Sequence, residues 1–226
     1  MKLITFLSAL FVTLLVHCSA WGETSKTESD VNPDTIIASV FDKNITMRDL
    51  NDTQLTILPG SYLPKPSQID DEYRYKVMRY LISQEINLAL DKQCNVSVST
   101  SDLEAYIKFM NNVMDDFKSR HPGDKTVELQ ESSIKSMGQS EWKKHYRHKC
   151  LYEMYGGAVI FQQASPQEPV GALKTHLEKL TREGDLVIMR ADFSQRFWQY
   201  FKRKHSFEIP SEKVDFSQPW WVKAKH

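Results

Sequence analysis

The chain has 226 residues, 41% of them hydrophobic and 26% charged, with 29 basic side chains against 29 acidic ones. That length can bury a substantial core, as one large domain or two small ones. So even a balance excludes the broad basic field that nucleic acid requires, and no nucleic-acid partner is expected.

The first residues read as an export signal. Lys2 supplies a short positive lead, and Leu3 to Val16 form an apolar run interrupted only by Thr5, Ser8 and Thr13. Cys18-Ser19-Ala20 puts small residues at a cleavage site, so residues 1–20 are expected to be a cleavable signal peptide. The run is short for a bilayer span, and polar sequence follows it from Glu23 to Asp34. The alternatives are an N-terminal membrane anchor or a lipoprotein acylated on Cys18, although His17 fits the lipoprotein motif poorly. Cleavage removes Lys2 alone among the charged residues, so the mature balance stays near neutral. Residues 21–33, polar and without periodicity, read as a flexible leader.

Ile36 to Phe41 is a short β-type run, followed by a turn over Asp42-Lys43-Asn44 and a helix near Met47 capped by Thr46. Leu58 to Pro66 is a breaker-rich loop. From Asp70 to Lys92 a broad apolar stripe recurs at helical period, with Tyr73, Val77, Met78, Leu81, Ile82, Ile86, Leu88 and Ala89. Ser101-Asp102-Leu103-Glu104 reads as a capping box for the next helix, with Leu103, Tyr106, Ile107, Met110, Val113, Met114 and Phe117 on one face. His121-Pro122-Gly123 stops it. A short helix is expected between Asp124 and Gly138, a separate one from Gln139-Ser140, and an interruption at Gly156-Gly157. Val170 to Thr181 reads as a helix ended by Gly184, and Leu186 to Met189 as a strand. A last helix carries Phe193, Phe197, Tyr200 and Phe201 on one side. The strands near 36–41 and 186–190 are expected to pair, tying the chain ends together.

The elements of the first half follow a recognisable order. The strand Ile36 to Phe41, the helix from Thr46-Met47-Arg48-Asp49-Leu50, the long helix with Val77-Met78-Arg79-Tyr80-Leu81-Ile82, and Ser101-Asp102-Leu103-Glu104-Ala105-Tyr106-Ile107 succeed one another. This order resembles the N-terminal chaperone domain of SurA-like periplasmic proteins. Gly138-Gln139-Ser140-Glu141-Trp142-Lys143-Lys144 with Tyr146-Arg147 is similar to that domain's later helix. The resemblance covers residues 34–155 and implies a periplasmic protein that binds unfolded or partly folded exported polypeptides. It implies a mainly α fold, a SurA N-domain-like helical body with a few short strands. Residues 156–226 would then be an α/β segment of unassigned family packed on it. Family members often carry a parvulin-type prolyl isomerase domain, which residues 156–226 are too few to hold; Gly156-Gly157 is all that is shared with its motifs.

Several candidate features remain. Cys94 and Cys150, the cysteines left after cleavage, either pair in an oxidising compartment or sit as two separate buried thiols. His145-x-x-His148-x-Cys150 has metal-type residues, but Cys150 points away from the histidine face and further ligands are missing, so no metal and no cofactor is expected. Met110, Met114 and Phe117 are the candidate substrate-binding residues, a soft apolar stripe able to hold varied peptides; the other reading is an ordinary core-facing stripe. The aromatic, basic segment Phe193 to His205 either packs on the body or makes a peripheral membrane contact, and Trp220-Trp221 either anchors the tail or forms an exposed patch. Asn-x-Ser/Thr sites at Asn44, Asn51 and Asn95 would matter only in a eukaryotic secretory route. Binding of exported polypeptides is the expected function. A prolyl isomerase with an unrecognised domain and a structural subunit holding one folded partner are its rivals.

Overall fold

A computed structural model describes residues 32–53, 69–121, 130–162 and 165–223. The expected signal peptide with Cys18, all but the end of the leader, and the Leu58–Pro66 loop lie outside them. The described chain is mainly α, with short strands in two small antiparallel sheets.

Strand β1 (Ile36–Val40) pairs with β2 (Lys43–Thr46) in a tight hairpin, Val40 opposite Lys43. The turn expected at Asp42–Asn44 is thus Phe41–Asp42, one step earlier. Such a two-residue turn needs a positive φ, which Phe41 adopts at +51°. A long-range bond holds it there, the Phe41 N–H donating to the Asp185 carbonyl at 2.7 Å. On its other edge β1 pairs with β5 (Leu186–Ile188), Ala38 opposite Ile188 and Val40 opposite Leu186, as the sequence led us to expect.

Thr46 ends β2 and caps α1 (Met47–Asp52), in a capping box with Asp49. Helix α2 (Asp71–Gln93) buries Tyr75, Val77, Met78, Ile82, Ile86 and Leu90 at i, i+3 and i+4 spacing, whereas Leu88, expected on this stripe, is exposed because it lies two residues from both Ile86 and Leu90 and so off their face. Helices α5 (Val170–Glu183) and α6 (Ala191–Lys202) contribute Ala172, Leu177, Leu180, Phe193 and Phe197 to the same core, where Phe193 meets Tyr75 of α2 edge-on. Gly184 ends α5 in the left-handed conformation, φ +82°, where a side chain would be strained. The segment after Tyr155 is therefore built into the body, and from Asn32 onward the described chain is one compact unit.

Helix α3 (Thr100–Arg120) starts two residues earlier than its capping signal suggested. Ser99 is the cap and Asp102 its reciprocal partner, while the Ser101 hydroxyl bonds that of Ser99 at 2.9 Å. Two such boxes overlap here, and contacts from the neighbouring helix choose between them. The Asp102 carbonyl accepts from the Trp142 indole at 2.6 Å, and its carboxylate from the Tyr146 hydroxyl at 2.9 Å. Helix α4 (Glu131–Tyr155) is one continuous helix, where a short helix and a second one from Gln139-Ser140 were expected. Gly138 lies inside it under Tyr106; a Cβ there would stand 2.8 Å from the Tyr106 ring. The glycine marks close packing of two helices, not a break.

A second sheet, order β4-β3-β6, was not foreseen: β3 (Val159–Gln162), β4 (Ser165–Glu168) and β6 (Glu208–Ile209). Pro166 hides β4 from pattern reading, but proline is tolerated on an edge strand, and β4 is one. A last short helix, α7 (Trp220–Lys223), returns to α3.

Cys94 and Cys150 form a disulfide between the C-cap of α2 and α4, with Cα atoms 6.1 Å apart. Beside it Asp91 of α2 accepts from Lys143 at 3.1 Å and Arg147 at 2.7 Å, both on α4. Burial opposes the Asp91 charge, yet these two cations outweigh it and hold the carboxyl below its ordinary range. The disulfide closes a loop spanning a separation of 56 residues. Denaturing Cys94→Ala/Cys150→Ala with urea is expected to show a loss of about 4 kcal/mol at most, the loop-entropy value for that span. An unchanged midpoint would mean that the bond is absent in solution.

Candidate polypeptide-binding arm

Helices α3 and α4 form an arm whose base is well fixed. Tyr106, Ile134, Trp142 and Trp221 make a small core of their own, separate from the main one. The Trp221 ring meets Tyr106 edge-on at 5.6 Å and Trp142 at 5.7 Å between centroids. Trp221 is thus the tail's anchor, and Trp220 remains partly exposed. Asp102 ties the first turn of α3 to α4 through Trp142 and Tyr146. Burial, and then the bond to Asp102, push the Tyr146 hydroxyl up to about 12.

Along α3 the apolar stripe changes its surroundings. Tyr106 is buried, Met110 packs partly buried against the small core, Met114 is half-buried, and Phe117 is 40% exposed. The structure therefore splits the Met110, Met114 and Phe117 set: Met110 belongs to the arm's core, whereas Phe117 stands at the open tip. There its ring stacks on His121, the centroids 4.6 Å apart. Further apolar side chains lie open on the two helices, Val113 on α3 and Met137 on α4 beside the small core, and Met154 near the far end of α4. Val113 sits three residues after Met110 and four before Phe117, so helical spacing could have added it to the set. Nothing in sequence separates Met137 from Ile134, three residues earlier and buried.

His145 and His148 face a small cavity between α4, β4 and the tail, bounded by Gln167, Trp220 and Trp221. Its 30 Å³ has room for a water molecule and not for a peptide. His148 Nδ1 donates to the Gln167 carbonyl at 3.3 Å. Cys150 is bonded to Cys94 and joins neither histidine. Among the described residues no cluster of three or more His, Cys, Asp or Glu side chains could hold a metal. In α6, Phe193 and Phe197 are buried in the main core, so the aromatic side of the Phe193–His205 segment is largely turned inward. Arg196 on its outer side pairs with Glu72.

No family model, no curated protein and no solved structure matches this chain.

Burial pushes the imidazoles of His145 and His148 down to about 4, with nearby lysines adding to the effect. Both are neutral in the folded chain at pH 7. Once unfolded they take up protons near their ordinary 6.5. Stability present above pH 6.5 is thus expected to fall as the pH drops toward about 4. Urea midpoints across that window test this: His148→Asn, which keeps a donor for Gln167, should flatten the slope. An equally steep slope in the variant would assign it to other groups.

Proposed function

We propose that this chain is a SurA-like export chaperone that holds exposed apolar stretches of unfolded polypeptides. The observation that carries the reading is the open tip of the arm, where Val113 and Phe117 stand exposed beside half-buried Met114, with Met137 exposed on α4. Large apolar side chains left uncovered on a helix mark a surface for another chain. They offer contact area and supply no nucleophile or base, so the reading is one of binding. The resemblance of residues 34–155 to the SurA N-terminal domain supports it. A disulfide between Cys94 and Cys150 fits the oxidising compartment to which the signal-like first residues point.

The energetics suit a holding role. Each of these side chains is already more than half covered, so covering the rest contributes about 1 kcal/mol or less before the cost of association. A few such contacts give weak, reversible binding, and methionine adapts to irregular partners.

The test pairs a thermal melt with an aggregation assay on a chemically unfolded exported protein. Val113→Ser/Met137→Ser, at exposed positions outside the Phe117–His121 stack, should change stability by about 0.5 kcal/mol or less per site while weakening aggregation suppression several-fold. Met110→Ala should instead destabilise the arm. Full suppression by the serine variant would remove the arm from the reading, and turnover of a prolyl-peptide substrate would replace holding by isomerisation.

A further inference from the structure

A second surface carries different chemistry. Strand β3 and residues 200–207, which lead from the end of α6 toward β6, border an open cleft of about 540 Å³. Tyr200 lies at its centre. The guanidinium of Arg79, from α2, stacks on the Tyr200 ring at 5.5 Å from its centroid, and that of Arg203 at 4.8 Å. The ring is held in place: Gln162 Nε2 donates to the Tyr200 hydroxyl oxygen at 2.8 Å, and the hydroxyl donates to Glu168 at 3.4 Å. Phe161 and Phe207 supply the apolar part of the lining, 52% and 70% exposed. A bond from the Phe161 N–H to the Phe207 carbonyl fixes them side by side at 2.8 Å.

The charge here is not balanced. Arg48, Arg74, Arg120, Arg147, Arg190 and Arg196 each pair with a carboxylate. Among the described residues Arg79, Arg182 and Arg203 have no such partner, and two of these three face this cleft with Lys204 beside them. Glu168 is the one acid among the described lining residues. Burial pushes its carboxyl up, against the smaller effect of the Tyr200 bond, and even ionised it is one charge against Arg79, Arg203 and Lys204. His205 Nε2 is buried at the same site without a hydrogen-bond partner. Two planar guanidinium groups without a carboxylate partner, next to open aromatic rings, match a carboxylate with an apolar neighbour.

We propose that this cleft binds a carboxylate of an extended, acidic and aromatic polypeptide segment, its charge met by the arginines of the lining, Arg79 and Arg203, and its rings by Phe161 and Phe207. The proposal rests on the chain being a polypeptide binder and adds a chemical preference to that reading. A peptide fits better than a membrane surface: the site is concave, and Phe193 and Phe197 of the adjacent helix are spent on the core. An interfacial contact needs a broad apolar face instead.

The probe is a short peptide, blocked at both ends, that alternates glutamate with phenylalanine; in its control each glutamate is glutamine. The full chain is expected to bind the glutamate peptide about tenfold more tightly by calorimetry, the scale of a charge-assisted contact. Arg79→Gln/Arg203→Gln should erase that preference. A melt checks its fold, and if the double variant is unfolded, collapse of the wild-type preference at high ionic strength decides the same point. Equal affinity for the two peptides overturns the proposal, as does a preference that survives both substitutions or high salt. Binding of anionic lipid vesicles that depends on these arginines, without peptide discrimination, overturns it in favour of a membrane contact. The two functional readings fail separately: an intact peptide preference with no aggregation suppression by wild type defeats the holding role and leaves the cleft standing.

Discussion

The backbone of β1 sets the terms for everything else. Ala38 and Val40 are fully buried, so the N–H and C=O groups around them have no access to water and must be bonded on both edges. One edge is met by the next strand in the chain, the other by β5, with Ile188 lying 150 residues beyond its partner Ala38. Further bonds seal the junction: the Met189 N–H donates to the Ile37 carbonyl at 2.9 Å. Once β5 is required there, α5 and α6, its neighbours in sequence, are carried onto the same core as α2. The arm is then fastened to that body through α4, by the disulfide and by Asp91.

Much of this was legible because the causes are local. The α2 stripe, the Thr46 cap, the Gly184 stop and the β-runs that become β1 and β5 each carry their signal within a few residues. What was misread depends on a distant partner. The α3 cap moved from Ser101 to Ser99 because Trp142 and Tyr146 engage Asp102. Gly138 resembled a break because its reason, the approach of Tyr106, belongs to another helix. Strands β3, β4 and β6 are too short for any period to emerge, and Phe41 occupies a turn position that a local rule would give to glycine or asparagine.

The same division runs through the candidate surfaces. Spacing alone put Met110, Met114 and Phe117 on one helical face. How deeply each is covered depends on Trp221 and α4, and that is invisible in the stripe. Sequence could not decide between a disulfide and separate thiols, since proximity of Cys94 and Cys150 arises only when α2 and α4 pack. The arginine-rich cleft gathers side chains from α2, β3, β4 and the stretch after α6, so no window of sequence contains it.

The outer half of α3 has an energetic consequence of its own. From Asn111 to His121 no side chain is fully buried, and the stretch is steadied by the Asp116–Arg120 ion pair, the Phe117–His121 stack and its own backbone ladder. A helix of so few turns is marginal in water without tertiary support. Its opening free energy therefore lies far below that of the α2 core, and it can fray and re-form as a unit while the body stays folded. Such a segment is a local folding unit within the arm.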